Sequence, residues 1–592
     1  MSLLEKFYVQ ACRWAGKFSW FKRGQRLTDE LQENLEFASL EVQAVEVAAL
    51  AFLAALVCAT LAAAVLSILM FVGLPLLSLL PIALMPVIAY MFVGWYPKLR
   101  AERQRVRGLG EAPMLINYLT MSMKVTPNLE RATAFAAENV EGPLGIGLKD
   151  ALRRTYLRAH AGVGDALSSF AERWGKWCED LKRSIYLLRS SVSEQAEPAR
   201  LQTLDRALEL SLRGARDRMR DFAAGLHLPT LLIYSMGVLL PLVLVAILPV
   251  LSVINISVDA PQVFAIYCVV LPLGVYMLSR WALAKRPASF PPPEIPIEAS
   301  RARALLFAGL LAAALVGVGL LSPIADEIRA ILFLWAPTLG IVLYLHLTTA
   351  RAFKKRGHIE RMEREFCDSL VQLGNRISEG RPAEEAFEHV ADTARGSELA
   401  DVFARASANI RLGGMGLRAS LFDPERGALH GVPSRMIHSV LRLLVDVIER
   451  STRAAGAAIL RTADHLHELK QVELDTRRSL GEVVTSMRSV ALFFAPFIAA
   501  IAARMQGLLA SKTASVGFLS SGAGASPAAF LFVLGLYVML LTAILMSYAV
   551  EIELGDDPLA KRAAIARALP VALGVFTAGA IIGGQMLAAI IG

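Results

Sequence analysis

The stretch LPTLLIYSMGVLLPLVLVAILPVLSVINI, Leu228–Ile256, contains no charged residue, yet it follows directly on a segment crowded with Arg213, Arg216, Asp217, Arg218, Arg220 and Asp221. An apolar run of this length covers the ~30 Å of hydrocarbon in a bilayer, for which about 20 residues suffice. The abrupt change from a charged helical pattern to a lipid-soluble one decides the fold class: an all-α polytopic membrane protein with helical domains in water. Composition agrees. The 592 residues are 55% hydrophobic and 19% charged, with a mean hydropathy of +0.50. A soluble globular chain is roughly 45–50% apolar, and here the excess lies in blocks.

Working outward, about nine spans are expected: Val47–Met70 and Leu74–Tyr96, Leu228–Ile256 and Val263–Ala284, Ala304–Leu321 and Ile328–Leu347, then Val484–Leu509, Ala528–Val550 and Leu569–Ile591. The seventh contains Arg488 and Arg504, which favours a shorter or partly interfacial span. Basic residues cluster on one side of this ladder: Lys98 to Arg107, Lys285 and Arg286, Arg351 to Arg356, and Lys561 to Arg567. Loops on the other side are nearly free of them. By the positive-inside bias the basic side is cytosolic, with the N-terminus inside and the C-terminus outside, in the cell membrane. The surplus of 61 Lys and Arg over 52 Asp and Glu, net +9, follows from that bias and calls for no nucleic-acid partner.

The N-terminal residues lack the short apolar core and cleavage site of a signal peptide. Phe7, Tyr8, Trp14, Phe18, Trp20 and Phe21 interleave with Lys6, Arg13, Lys17, Lys22 and Arg23, the pattern of an amphipathic helix lying on an anionic leaflet. The five cysteines form no CxxC pair and read as small buried hydrophobes.

The expected organisation is therefore an interfacial N-terminal segment (1–45), a transmembrane pair (46–96), a first cytosolic helical domain (97–225), a second pair (226–284), a Pro-rich linker (285–303), a third pair (304–349), a second cytosolic helical domain (350–483) and three final spans (484–592). In the polar blocks, helical spacing of apolar residues marks Asp150–His160, Asp165–Ile185, Leu201–Phe222, Met362–Ile377, Ala383–Ala391 and Met436–Leu469. Tyr118–Ala137 aligns with Gln372–Ala391, matching Leu119 to Leu373, Glu130 to Glu384 and Ala137 to Ala391. This points to a duplicated span-span-domain-span-span unit, joined by the stiff Lys285–Pro296 spacer.

No chemistry-bearing motif is present. Gly16-Lys17 and Gly175-Lys176 lack the rest of a phosphate loop, and HExxH and GxSxG are missing. His465 and His467, two apart, point to different helix faces; the ordinary reading is exposed helix histidines. Asp205, Glu209, Asp217 and Asp221 among arginines read as an ion-paired solvated face. No catalytic residue, cofactor or metal is expected.

The segments Glu111-Ala-Pro-Met-Leu-Ile-Asn-Tyr-Leu119, Pro127-Asn-Leu-Glu-Arg-Ala132 and Gly162-Val-Gly-Asp-Ala-Leu167, with their second copies Phe366–Leu370, Ser378–Ala383 and Gly414–Gly416, resemble the type II secretion system F domain. The turn Gly555-Asp556-Asp557 is similar to that of archaeal members. Lys124-Val125-Thr126 departs from a usual glycine, and Cys367 from a usual proline. The resemblance implies a platform protein of type IV pili, archaella, Tad pili or type II secretion, coupling a hexameric ATPase to insertion of pilin subunits. The implied partners are that ATPase, pilins and membrane lipids, with a homodimer left open. Candidate ATPase contacts are Glu130, Arg131, Glu384 and Glu385, in the repeated turns; the competing reading is that such glutamates only complement a helix N-terminus. The alternative function is a transporter or channel with helical regulatory domains, disfavoured by spans nearly free of carboxylates and histidines.

Overall fold

The computed structural model describes the chain except residues 1–2, 17–28, 38–39, 41, 72–75, 141, 158–161, 254–259, 285, 287–300, 323–324, 433, 450–451, 516–525 and 592. The described residues form helices joined by turns and irregular loops, with no strand among them. Among the described residues, eight helices are long and apolar enough to cross a membrane. The second expected span, Leu74–Tyr96, begins outside the described residues; its helix, Leu76–Val125, runs without a break from the apolar stretch into the first polar block. The aromatic and basic residues from Lys17 to Arg23, the Pro-rich spacer and most of the loop before Pro527 also lie outside the description.

The chain divides into two compact units. In the smaller, helix Leu3–Ala15 turns Val9 and Cys12 onto Ala44, Val47 and Ala101. Tyr8 Oη donates to the Val93 carbonyl at 3.1 Å. Arg105 donates to Asn34 Oδ1 at 2.8 Å and lies 4.7 Å above the Phe37 ring. Phe7 and Trp14 are exposed.

The larger unit, Glu111–Val140 with Leu148–Gly592, holds most of the first helical domain, the second helical domain and the remaining spans. At its centre stands Pro527–Leu554, whose apolar window is 67% buried against 17% for the Ala302–Leu321 span. Its mean hydropathy is 2.6, so it is apolar on every side, as a helix surrounded by other helices must be. Phe530, Leu534, Tyr537, Leu541, Leu545 and Tyr548 carry its core contacts.

The two polar blocks fold alike in order. Leu76–Val125, Leu129–Asn139, Pro143–Tyr156, Val163–Gly175, Glu179–Ser190 and Glu197–Gly225 are followed in the second block by Asp326–Ser378, Ala383–Thr393, Glu398–Arg411, Leu417–Phe422, Arg435–Ile448 and Thr452–Ser489. Two expected helices are each split. Asp165–Ile185 breaks at Lys176–Cys178, and Met436–Leu469 breaks after Ile448. Amphipathic periodicity ran through both breaks because the successive helices bury faces in phase. Gly374 and Gly456 let the two long helices of the second block approach closely: a Cβ on Gly456 would lie 2.5 Å from the Ser378 amide nitrogen.

Candidate functional site

The repeated turns lie where long helices end. In the first, Asn128 caps Leu129–Asn139 by accepting from the Arg131 amide at 3.0 Å. Glu130, in the first helical turn, is exposed. Arg131 extends to Asp446 in the second domain, and Arg418 also reaches Asp446 and, at 3.1 Å, Glu449. In the second turn Gly380 takes φ +83°, which a β-carbon would oppose. Arg381 pairs with the exposed Glu385 at 3.3 Å, while Glu384 is half-buried and its carbonyl accepts from Ser407 Oγ at 3.3 Å. Three of the four sequence-predicted residues therefore point to solvent wholly or in part, and Arg131 is engaged between the domains.

Those domains meet in a polar seam. Ser439 donates to Asn139. Lys124, whose side chain is only 7% exposed, pairs with Asp205 and lies 2.5 Å from His465 Nε2; Asp205 is 3.6 Å from the same nitrogen. Burial pushes the Lys124 ammonium below its usual range, with Asp205 opposing the shift. His465 is carried by Thr452–Ser489 in the polar part of that helix, well before the apolar stretch. Burial, then the Lys124 charge, lowers it to about 4, so it is neutral at pH 7. It is thus not the exposed histidine expected from its spacing. The sequence signal was Lys124 itself, a lysine where resemblance called for glycine. An open cleft of about 480 Å³ lies beside these groups, lined by Met121, Lys124, Arg200, Arg461 and His465 among others.

A second cluster sits at the turn joining the last two spans. Pro527–Leu554 ends at Gly555, which takes φ +85°, and Asp557 Oδ1 caps the next helix by accepting from the amides of Leu559 and Ala560 at 3.0 and 3.2 Å. Cations from four other helices or their ends converge here. Arg280 reaches Glu551 at 3.2 Å, Arg488 reaches Glu553 at 2.6 Å, and Lys561 pairs with Glu551 and Asp556. Arg356 pairs with Asp557, both side chains under 10% exposed, and with Glu360 at 3.1 Å. Arg286, buried, donates to the Ile552 carbonyl at 3.0 Å, and its burial lowers it to about 10. The turn thus fastens the ends of spans from both halves of the chain to one another. The deep arginines of the seventh span are explained in the same way: Arg488 belongs to this cluster, and Arg504 bonds Glu327 and the Ala580 carbonyl, each at 2.6 Å. Arg488 and Arg504 lie on either side of the widened turn Val490–Phe494 in this helical path.

Among the described residues no group of three or more His, Cys, Asp or Glu could hold a metal ion. The site's chemistry is that of ion pairs and helix ends, suited to holding and transmitting position.

Residues 369–503 match the family model of the type II secretion system (T2SS), protein F. The matched region runs from the end of helix Asp326–Ser378 through the rest of the second helical block and most of the span that follows it. No curated protein and no solved structure matches the chain.

Proposed function

We propose that this protein is the membrane platform of a type IV pilus-like or type II secretion-like machine, coupling a cytosolic hexameric ATPase to insertion of pilin subunits. The protein F match over residues 369–503 carries the reading. The architecture supports it: Asp326–Ser378 runs uninterrupted from the apolar bundle into the matched domain, so a displacement imposed on that domain reaches the spans through continuous helix. In this reading the two helical domains are cytosolic, the N-terminus is inside, and the first block is a second copy of the F domain. The helix order shared by the two blocks favours that duplication.

The platform hydrolyses no nucleotide itself; its motor is a separate ATPase. Glu130, Glu384 and Glu385 are the docking candidates, exposed or half-buried at the turns, and Arg131 supports them by fixing the first turn onto Asp446. An ordinary interface needs ~800 Å² from each partner, which a domain of this size supplies. Affinity purification from native membranes should recover a hexameric ATPase and pilins. Reversing the charge of Glu130 and Glu384 should leave a folded, inserted protein that no longer retains the ATPase. Retention by that variant overturns the assigned contacts, and recovery of neither ATPase nor pilin by the parent overturns the platform reading.

A further inference from the structure

Among the described residues, three membrane helices widen by one residue in mid-course: at Ser235–Leu239, Ala265–Val270 and Val490–Phe494. Each wide turn closes with an amide bonded five residues back, Leu240 to Ser235, Leu271 to Ile266 and Ala495 to Val490. Each is followed at once by a proline in the same setting: Leu240-Pro241, Leu271-Pro272 and Ala495-Pro496. Proline has no amide hydrogen, so a widened turn with proline behind it leaves carbonyls without their usual helical donors. In hydrocarbon such a carbonyl must find another donor.

Two of the three find it on the same helix. Tyr537 Oη donates to the Gly237 carbonyl at 2.5 Å, and that carbonyl is the one Pro241 would have served in a regular helix. Thr542 Oγ1 donates to the Ala491 carbonyl at 3.2 Å. The regular donor to Ala491 is the Ala495 amide, which is diverted to Val490; the widened-turn donor would be Pro496, which has none. Both hydroxyls belong to the central helix Pro527–Leu554. Tyr267, in the remaining widened turn, donates to the Pro241 carbonyl at 2.9 Å and so braces the first break from the other side. A narrow apolar void lined by Gly237, Pro241, Val245, Ala499 and Tyr537 lies beside the first break.

The first and third breaks occupy corresponding places. Each lies in the helical path that leaves its polar domain, Glu197–Gly225 in one case and Thr452–Ser489 in the other, and enters the bundle. We propose that these two breaks are hinges on which the two domains move relative to the bundle, and that Pro527–Leu554 is their common pivot, with the Tyr537 and Thr542 hydroxyls as releasable latches. A hinge of this kind needs few residues to absorb a large change in backbone angle, and a widened turn already lacking one helical bond supplies them. Because one helix holds both latches, release at one break disturbs the support of the other.

The test uses the full chain in lipid nanodiscs, its five cysteines replaced by alanine. Spin labels at Asp217→Cys and Val243→Cys flank the first break, both positions being exposed. Along a helix they stand ~39 Å apart, within the range of pulsed dipolar spectroscopy. The parent should give one narrow distance distribution. Tyr537→Phe, which removes only the latch, should broaden it or add a second, shorter population. Adding Pro241→Ala to Tyr537→Phe should restore the parent's width, since the new amide at 241 bonds the Gly237 carbonyl directly. A matching pair, Arg478→Cys and Met505→Cys, reports the third break, where Thr542→Val should act first and Tyr537→Phe should have a smaller effect. A distribution as narrow in Tyr537→Phe as in the parent overturns the latch. Broadening that persists unchanged in the Pro241→Ala double variant overturns the hinge, because the disorder would then come from lost packing of the ring.

Discussion

Replacing Asp557 removes one partner of a buried ion pair and leaves the other in place. Arg356 and Asp557 are 7% and 6% exposed at the side chain, and Arg356 keeps only the half-exposed Glu360 when Asp557 is lost. Stranding a buried charge in this way costs about 3–5 kcal/mol. Asp557 also caps the following helix through two amides, and losing a cap adds about 1 kcal/mol. Asp557→Ala should therefore destabilise by about 4–6 kcal/mol, and Asp557→Asn, which can still accept from the amides, by about 1 kcal/mol less. The double change Arg356→Met with Asp557→Asn removes both charges together and should recover most of the loss. Unfolding in mixed micelles with rising sodium dodecyl sulfate, followed by tryptophan fluorescence, gives the four corners of the cycle. If the double variant loses as much as the two single changes added together, the pair contributes no coupling and the fastening role of this turn is wrong.

Other outcomes follow from the same observations. His465, about 4 in the folded chain and near 6.5 when unfolded, binds its proton more weakly when folded, so stability is full above pH 6.5 and falls as pH drops toward 4; the parent should lose about 2 kcal/mol between pH 7 and 5, and His465→Gln should lose much less, read from melting curves at the two pH values. Gly555→Ala forces a side chain into φ +85° and sets its Cβ 2.9 Å from an Arg286 nitrogen, so it should cost about 1–3 kcal/mol, measured by the same detergent unfolding. Cysteines introduced at Ser257 and Ser521 should react with an impermeant thiol reagent in intact cells and one at Ser289 should not, as the distribution of basic loops requires.

The membrane character and the order of helices were legible because lipid imposes a one-dimensional rule: a span must be apolar for its whole length, and Leu228–Ile256 declares itself without knowledge of any partner. The domain helices were legible only as faces. Periodicity shows that Asp165–Ile185 is amphipathic, but not that it breaks at Lys176, since helices on either side can bury faces in phase. Partners across the fold were not legible. Arg131 with Asp446, Asn139 with Ser439 and Arg356 with Asp557 are joined across hundreds of residues, and nothing local to either member marks the other. The widened turns left a partial trace. Pro241, Pro272 and Pro496 stand inside otherwise unbroken spans, and a proline there announces an orphaned carbonyl; which hydroxyl answers it depends on packing. Arg488 and Arg504 were visible as charges in an apolar stretch, but the carboxylates that pair with them come from other helices and were not.

Asp326–Ser378 is a single helix of 53 residues, held at Arg356 by the Asp557 turn. Mechanically it is a first-class lever. The arm from Asp326 to Arg356 is ~45 Å long and the arm from Arg356 to Ser378 ~33 Å. A tilt of about 5° around the fulcrum carries the Ser378 end by ~3 Å, and the Asp326 end by ~4 Å in the opposite sense. The region matched to protein F rides on the shorter arm, so a small push there becomes a larger displacement, reversed in direction, at the Asp326 end.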